Sequence, residues 1–268
     1  MPDNSCQLNI PGLDVTLSLL IHDERDQHVS RRLREEGIWE PYETELLSQL
    51  IRPGHVVLDA GANIGYFSVL ASHWVGEAGR VFAFEPDPRN FALLKDNLVR
   101  NGFDARAQPI QAGLAAAPGK AQLFLSADNF GDHQLHPDDP GRDSVAIDLV
   151  KGSDWLAGRC DHVDVLKIDT QGAEYEVIAG LIDFLKQGPP CQVLIELTPF
   201  SLRGAGASGR ALIELLAELG EPFWIVDHIE HRLVSCGSEE LAEWCDNVDA
   251  CEDDRGFMNI LVGPGITD

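Results

Sequence analysis

Short apolar runs, each followed by a carboxylate residue, alternate along the chain with amphipathic stretches. Four of these runs are rich in β-branched and other apolar residues, which is typical of parallel strands buried on both faces; they span residues 56–58, 80–84, 163–168 and 192–195. The stretches between them repeat apolar residues at helical spacing and predict helices that begin near residues 66, 90 and 173. This alternation predicts an α/β fold with a mostly parallel sheet and helices on both faces.

Further segments add strands and an N-terminal region to this sheet. Residues 107–113 predict the third strand, and residues 121–125 and 145–149 predict extra strands between the third and the fourth. The N-terminal residues predict short strands within 8–21, a charged helix at 29–36 and a helix with Pro41 in its first turn. We therefore predict a cap segment over residues 1–50 and a catalytic domain over residues 51–268, with a polar substrate loop at about residues 126–144.

The turn after the first predicted strand carries the main chemical signal. Asp59 ends that strand at the edge of the sheet where open α/β folds bind ligands. Gly61 and Gly65 permit a tight turn and a close approach of the backbone to a ligand. Glu85 ends the second strand, about 20 residues after the turn, where a carboxylate can accept both ribose hydroxyls. The alternatives are a helix-capping role for Asp59 and a solvated turn position for Glu85.

Two kinds of cofactor bind to a strand, a glycine turn and a helix. A nicotinamide dinucleotide requires G-x-G-x-x-G, and its middle glycine is absent because Ala62, Asn63 and Ile64 follow Gly61. Asp59 disfavours an anionic pyrophosphate, whereas it attracts a ligand that carries an amino group and a sulfonium. The turn therefore favours S-adenosylmethionine.

Three segments together resemble the signature blocks of FkbM-type methyltransferases. They are Asp59-Ala-Gly-Ala-Asn-Ile-Gly65, Phe84-Glu85-Pro86-Asp87-Pro88 with Asn90, and Leu166-Lys-Ile-Asp-Thr-Gln-Gly-Ala-Glu174. The resemblance extends from residue 37 to residue 197. Many class I methyltransferases share the first block, and its combination with the third block makes the resemblance specific.

This resemblance implies a Rossmann-like class I methyltransferase fold. Its mostly parallel sheet would have seven strands, with residues 223–226 and 258–262 as the late strands and the last one antiparallel. The implied cofactor is S-adenosylmethionine, with contacts at Asp59, Gly61, Asn63, Gly65, Glu85 and Asp87, at Gln111 and Gly113 beside the adenine, and at Tyr42 in the segment before strand one. For Tyr42, packing against its own helix is the alternative.

Methyl transfer to a hydroxyl requires a group that takes the proton. Asp169, at the end of the fourth strand, is the first candidate, and Lys167 on the same strand face either forms a structural ion pair with it or tunes it as a base. Glu196 ends the fifth strand and either binds a sugar-like hydroxyl or makes no substrate contact. His133 is either a base or a surface histidine.

The acidic and histidine residues at 128–139 match no EF-hand or transition-metal spacing, so we predict no metal, with a Mg²⁺ site as the alternative.

The surface charge excludes several kinds of partner. The 268-residue chain has 44 acidic residues against 20 Lys and Arg, a formal net charge of −24. Such a surface repels phosphate, so we expect neither nucleic acid nor an anionic membrane as a partner. The acidity fits either a solvated face or adaptation to a salty cytoplasm.

The apolar runs and the cysteines bear on the compartment. No apolar run is long enough to span a membrane, and the N-terminal one is too short for a signal peptide. Six scattered cysteines without C-x-x-C spacing predict reduced thiols, with a Cys245–Cys251 bridge or metal site as the alternative. We predict a cytoplasmic protein; its oligomeric state is open, with a homodimer as one candidate.

The predicted function is S-adenosylmethionine-dependent O-methylation of a small hydroxylated acceptor, namely a sugar, a polyketide or another secondary metabolite. The family's acceptors include such hydroxyls, and no Asp/Asn-Pro-Pro-Tyr segment, typical of methylation at a planar nitrogen, follows the fourth strand. Two alternatives stay open: a nicotinamide-dependent oxidoreductase and a non-catalytic cofactor-binding protein.

Overall fold

The computed structural model describes residues 4–136, 141–251 and 253–266, which form alternating strands and helices. The strands are β1 (Ser5–Gln7), β2 (Ser18–Leu20), β3 (Val56–Ala60), β4 (Arg80–Phe84), β5 (Ala107–Ile110), β6 (Gly113–Ala115), β7 (Gly119–Phe124), β8 (Ser144–Lys151), β9 (Val165–Ile168), β10 (Gln192–Leu197), β11 (Phe223–Asp227), β12 (Arg232–Cys236) and β13 (Met258–Val262). The helices are α1 (Val29–Glu36), α2 (Pro41–Leu50), α3 (Tyr66–Trp74), α4 (Pro88–Arg100), α5 (Gly152–Leu156), α6 (Glu174–Leu185), α7 (Pro199–Gly204), α8 (Gly209–Ala217) and α9 (Ser238–Asp249).

A large, mostly parallel sheet organises the molecule. Its strand order is β12-β11-β13-β10-β9-β3-β4-β5. Strands β5, β4, β3, β9 and β10 are parallel neighbours, and β13 lies antiparallel between β10 and β11. This topology confirms the predicted Rossmann-like fold and its antiparallel last strand.

The sheet has eight strands rather than the predicted seven. The additional strand, β12, pairs antiparallel with β11 at the edge of the sheet. Most of its residues are exposed or half-buried, so β12 lacks the apolar run that marks the buried strands.

A second sheet is inserted between β5 and β9. Strand β8 pairs parallel with β6 and antiparallel with β7, so the predicted extra strands are present. The predicted third strand, residues 107–113, is divided between β5 in the main sheet and β6 in this one. The Ala112 N–H donates to the Ile110 carbonyl at 3.0 Å, and this tight turn separates the two strands.

The central strands are buried on both faces because alternate side chains enter two different cores. Along β3, Val57 packs with the core formed by the N-terminal segment, α2, α3 and α4. Its neighbour Leu58 packs with the core formed by α5, α6, α8 and α9. The parallel strands are thereby fixed in position, and their carboxyl ends meet at one edge of the sheet.

The N-terminal segment packs against this frame through α4. Strands β1 and β2 form a small sheet of their own, and the Leu20 N–H donates to Asn97 Oδ1 of α4 at 2.6 Å. Asn97 Nδ2 donates in turn to the carbonyl of Ile64 in the turn after β3, at 2.8 Å. Among the described residues, no helix is both long and apolar enough to cross a membrane.

Candidate functional site

A cavity of about 250 Å³ opens at the carboxyl edge of the parallel strands. The turns after β3, β4, β9 and β10 form one side, and residues of the segment before α2 and of the loop at 129–135 form the other. Of the residues predicted for the site, eight line this cavity: Gly61, Asn63, Glu85, Gly113, His133, Lys167, Asp169 and Glu196. The carboxyl edge is where open α/β sheets bind their ligands.

Gly61 is required by close packing at the floor of the cavity. A Cβ atom on this residue would lie 1.8 Å from the Asp169 carbonyl oxygen, and its φ of 86° favours glycine. The backbone of the turn after β3 therefore touches the backbone at the end of β9. This contact brings two of the predicted signature blocks together.

Glu85 presents a buried carboxylate to the cavity. Its Oε2 accepts a hydrogen bond from the Asn63 N–H at 2.7 Å, and its Oε1 accepts one from the Asp87 N–H at 2.8 Å. Burial raises the pKa of this carboxyl to about 8, although both N–H donors act in the opposite direction. The two oxygens are thus fixed in orientation, and each keeps a lone pair that can accept a ligand hydroxyl.

Lys167 and Asp169 form an ion pair at the opposite end of the cavity. Lys167 Nζ lies 3.2 Å from Asp169 Oδ2 and 4.4 Å from the centre of the Phe67 ring. Burial alone lowers the pKa of Lys167, but the carboxyl groups of Asp169, Glu43, Glu40 and Asp59 raise it above its ordinary value. Lys167 is therefore a permanent cation surrounded by carboxyl groups.

Gln171 joins Asp169 to Glu196. Its Nε2 donates to Asp169 Oδ1 at 3.0 Å and to Glu196 Oε1 at 3.3 Å, and Thr198 Oγ1 donates to the same Glu196 oxygen at 3.0 Å. Burial, followed by the negative charge of Asp169, raises the pKa of Glu196 to about 8. The ends of β9 and β10 thus present two carboxyl groups side by side.

Two further acids, Glu40 and Glu43, complete this end of the cavity. Glu40 lines the cavity, and its Oε2 is buried with no hydrogen-bond partner among the described residues. Glu43 is 2% exposed and lines a small gap behind the cavity together with Glu40, Lys167 and Glu196. We call Glu40, Glu43, Lys167, Asp169 and Glu196 the carboxylate cluster. Glu40 was not predicted as a site residue, because its position before Pro41 carries no periodic signal.

Backbone strain is concentrated at this cavity. Among the described residues, four that are not glycine have a positive φ, and three of them line the cavity: Glu40 at 43°, Asn63 at 51° and Gln171 at 52°. Such conformations cost about 1–3 kcal/mol each and persist where the surroundings fix them, often at functional sites. Their clustering supports this cavity as the functional site.

His133 presents a hydrogen-bond donor to the cavity. Its Nδ1 accepts the Ser126 N–H at 3.1 Å, so the ring proton is on Nε2. That Nε2 atom is buried, and no described residue accepts its hydrogen. Burial lowers the pKa of His133 to about 4, so the ring is neutral near pH 7.

Five of the residues predicted to contact the cofactor are not among the described residues that line the cavity. Asp59 is buried and accepts a hydrogen bond from Ser68 Oγ at 2.6 Å, and Asp87 caps α4 by accepting from the N–H groups of Arg89 and Asn90. Gly65 begins α3, where a Cβ would meet Leu94 Cδ1 at 2.7 Å.

The other two are Gln111, which is exposed, and Tyr42, which is buried in the core on another side of α2. Gln111 is exposed, because the tight turn between β5 and β6 directs it outwards. Tyr42 stacks on the His231 ring at 5.0 Å and lines a separate pocket with Trp224, because α2 turns it away from Glu40. Its packing role, the alternative in the sequence analysis, is the one that the structure supports.

The chemistry of the cavity fits S-adenosylmethionine. Glu85 offers two oriented oxygens for the ribose hydroxyls, and the His133 Nε2–H offers a donor for a ligand oxygen or nitrogen. Apolar side chains suited to the adenine base come from the inserted sheet and its surroundings: Phe84, Leu114, Leu123, Leu135, Ile147 and Leu149. The carboxylate cluster offers negative charge for the amino and sulfonium groups.

The loop acids proposed as an alternative metal site are only partly described. Asp138 and Asp139 lie outside the described residues. Within the described ranges, no group of three or more His, Cys, Asp or Glu side chains is arranged to hold a metal ion. Asp132 instead pairs with Arg142 at 2.9 Å.

Comparison with protein families gives one match that covers more than half of the chain. The model of the methyltransferase FkbM domain matches residues 59–223, which include all three signature blocks and the ends of β3, β4, β9 and β10. The matched segment thus carries Glu85, Lys167, Asp169 and Glu196.

Two curated relatives and one solved structure are similar to the chain. The 31-O-demethyl-FK506 methyltransferase FkbM of Streptomyces tacrolimicus is 29% identical over 163 residues, which are 50% of this chain and 62% of that protein. The hexuronic acid methyltransferase AglP of Haloferax volcanii is 29% identical over 144 residues, which are 53% of this chain and 56% of that protein. The chain thus spans about six tenths of the length of these relatives. A crystal structure of methyltransferase FkbM from Methylobacillus flagellatus KT has 15% identity and a TM-score of 0.48, and the likeness covers 90% of this chain and 55% of that one.

Proposed function

Because the chain belongs to the FkbM family of S-adenosylmethionine-dependent methyltransferases, we propose that it methylates a hydroxyl oxygen of a sugar, a polyketide or another secondary metabolite. The family match does not favour a nicotinamide-dependent oxidoreductase or a non-catalytic cofactor-binding protein. S-adenosylmethionine supplies an electrophilic methyl group on a positively charged sulfur. The residues of this chain have to bind and orient the two substrates, exclude water and take the proton of the acceptor.

The pair Asp169 and Glu196, bridged by Gln171, is the observation that carries this proposal. Both side chains line the cavity at the ends of neighbouring strands, and Gln171 Nε2 donates to each of them. Carboxyl groups side by side can accept hydrogen bonds from two hydroxyls of one acceptor, as a sugar or a polyol offers. The arrangement therefore supports a hydroxylated acceptor held beside the cofactor.

The names of the two relatives support the same class of acceptor. One acts on 31-O-demethyl-FK506, whose name specifies a demethylated oxygen, and the other acts on a hexuronic acid, a hydroxylated sugar acid. We carry over to this chain only the common feature, a hydroxyl on a small molecule.

In this proposal, one end of the cavity binds the cofactor and the other end binds the acceptor. Glu85 and His133 hold the nucleoside, while Asp169 and Glu196 orient the acceptor. Trp39 and Glu40, which precede α2, line the cavity, so we propose that residues 1–50 act as its cap. The net charge of −24 supports a small-molecule acceptor in place of nucleic acid, and we place the reaction in the cytoplasm.

The test is formation of S-adenosylhomocysteine and of a methylated product, followed by mass spectrometry over a panel of sugars, polyketides and matched amines. We expect products from hydroxylated members. We also expect Asp169→Asn and Glu196→Gln to lower kcat by up to about 10²-fold, because the acceptor hydroxyl is then misplaced relative to the methyl group. Glu45→Gln, on the exposed face of α2, is the control and should leave the rate unchanged. Methylation of the amines alone would contradict the proposal.

A further inference from the structure

Glu40 is held in an unfavourable conformation that aims a buried carboxyl into the cavity. It has a φ of 43° and a ψ of 72° at the N-terminus of α2, and its Oε2 has no partner among the described residues. A buried polar atom without a partner costs about 1–3 kcal/mol. Strain and an unsatisfied oxygen at one residue indicate that Glu40 interacts with a ligand.

Glu43 is the direct neighbour of Glu40 within the carboxylate cluster. It follows three residues later at the start of α2, and both side chains line the small gap beside Lys167. Lys167, the cation that faces both, is already paired with Asp169 at 3.2 Å. One ammonium cannot neutralise this many acids, so the Glu40–Glu43 pair keeps a proton.

Several charged groups from other elements face this pair. They are Lys167 of β9, Asp169 directly after β9, Glu196 of β10, and His228 after β11, whose Nε2 lies 3.8 Å from Glu43 Oε1. Asp59 of β3 acts on the pair indirectly, because its charge acts on Lys167. Burial first, and then the charge of Glu43, raises the pKa of Glu40 well above its ordinary value. Burial also raises the pKa of Glu43 to about 7, against the lowering effect of Lys167.

We propose that the Glu40–Glu43 carboxyl pair loses its proton when the cationic cofactor binds and takes up the acceptor's proton when the methyl group has been transferred. The proton affinity of the pair then depends on the charge of the bound cofactor. This inference rests on the proposed function for its second half, because only a hydroxyl acceptor has to release a proton in this way.

The charges balance in this scheme. Transfer breaks the S–CH₃ bond, whose electrons stay on sulfur, and forms an O–CH₃ bond from an oxygen lone pair. The positive charge of the sulfonium disappears, and the hydroxyl proton is released. A cation in the cavity stabilises the ionised carboxyl pair, and its loss raises the proton affinity of the pair at the moment when a proton has to be accepted.

The test compares three ligands by isothermal titration calorimetry in phosphate and in Tris buffer, whose different ionisation enthalpies report the protons released. S-adenosylmethionine carries the sulfonium, sinefungin carries an amine-bearing carbon at that position, and S-adenosylhomocysteine carries neutral sulfur. At pH 7 we expect the two cationic ligands to release about half a proton more than S-adenosylhomocysteine, since a carboxyl with a pKa of about 7 is then half protonated. The affinity ratio of S-adenosylmethionine to S-adenosylhomocysteine should rise about tenfold from pH 6 to pH 8, because the ionised fraction of such a carboxyl rises by that factor.

Variants identify the group that responds. Glu40→Gln and Glu43→Gln keep the size of each side chain and should abolish the difference in proton release, whereas Glu45→Gln should preserve it. Glu196→Gln should also preserve it, although Glu196 lies in the same cluster.

The wild-type protein is sufficient to overturn the inference, so poor folding of a variant does not leave it untested. Equal proton release by all three ligands would contradict it, and so would loss of the difference in Glu196→Gln alone. Either result would leave the proposed O-methylation intact. If the ligands differ in proton release as expected but no hydroxylated acceptor is methylated, the proposed function is contradicted instead.

Discussion

His133 uses one ring nitrogen to hold its own loop, which leaves the other to reach a ligand. Because Nδ1 accepts the Ser126 N–H, Nε2 carries the hydrogen and cannot accept a proton. A neutral ring with a pKa near 4 also remains uncharged over the working pH range. At the scale of single residues, we therefore expect His133 to position the cofactor rather than to act as the base.

The variants His133→Gln and His133→Phe separate these roles. Gln keeps an N–H donor near the Nε2 position, whereas Phe removes it, so we expect Phe to weaken S-adenosylhomocysteine binding by about three- to tenfold, the value of one hydrogen bond. Gln should bind nearly as the wild type does. Calorimetry measures the affinity, and the pH profile of kcat/KM is the second readout. A limb near pH 6–7 that disappears in His133→Gln would show that His133 is a base after all.

The residues around Pro41 show where sequence reasoning stops at this scale. The aromatic ring of Tyr42 was the more obvious ligand contact, yet it stacks on His231 outside the cavity. Glu40, two residues earlier, reaches the cavity because the chain enters α2 with a positive φ. That entry conformation decides which side chain faces inwards, and a residue pattern does not encode it. Glu85 and Asp169, in contrast, were placed by a general rule, since each ends a buried parallel strand.

At the scale of elements, the loop at 126–136 is tied to the N-terminal segment and to α4. The Gln27 N–H donates to the Asp128 carbonyl at 2.8 Å, and Asn90 Nδ2 donates to the Phe130 carbonyl at 3.0 Å. The Phe130 ring is 4% exposed and makes an edge contact with His22 at 4.7 Å. Because this loop lies beside Asn63, we expect it to cover the cofactor, in addition to the predicted contact with the acceptor.

Phe130 is the side chain by which this cover can be loosened. We expect Phe130→Ala to destabilise the protein by about 3 kcal/mol and to speed the release of S-adenosylhomocysteine, because the loop loses its anchor. Phe130→Leu preserves most of the apolar volume and is the matched control. Stopped-flow fluorescence measures the release rate, and urea unfolding measures the stability. Destabilisation without faster release would show that the loop is structural and does not retain the cofactor.

The strands and helices that were predicted from the sequence are buried differently from those that were not predicted. Strands β3, β4, β9 and β10 each contain a short run of buried apolar residues, so their existence follows from the residue pattern alone. Helix α9 was not predicted, because its acids were interpreted as a solvated surface. Its buried residues Leu241, Ala242, Cys245 and Val248 recur at helical spacing, so the signal was present and could have been used.

At the scale of the whole molecule, charge is distributed in two different ways. The carboxylate cluster surrounds one buried lysine, and burial raises the pKa values of its members Glu40, Glu43 and Glu196, so its charge depends on pH and on the ligand. Many other acids, such as Glu240 and Glu243 of α9, are exposed and contribute to the net charge of −24. Salt screens exposed charges strongly and buried ones weakly. Salt should therefore change the stability of the fold far more than it changes the proton affinity of the cluster.

We expect the melting temperature to rise as KCl increases from about 0.01 M to about 1 M, where the Debye length falls from roughly 30 Å to roughly 3 Å. The rise should be several degrees, because about 1 kcal/mol shifts the melting temperature of a chain of this size by roughly 2–4 °C. Scanning calorimetry measures it. The double variant Glu240→Lys/Glu243→Lys, which reduces the net charge on the exposed face of α9, should melt higher at low salt and respond less to KCl. If the melting temperature of the variant rises with KCl as much as that of the wild type, self-repulsion of the acidic surface is excluded as the cause of the rise. The rise would then come from apolar burial, which salt strengthens.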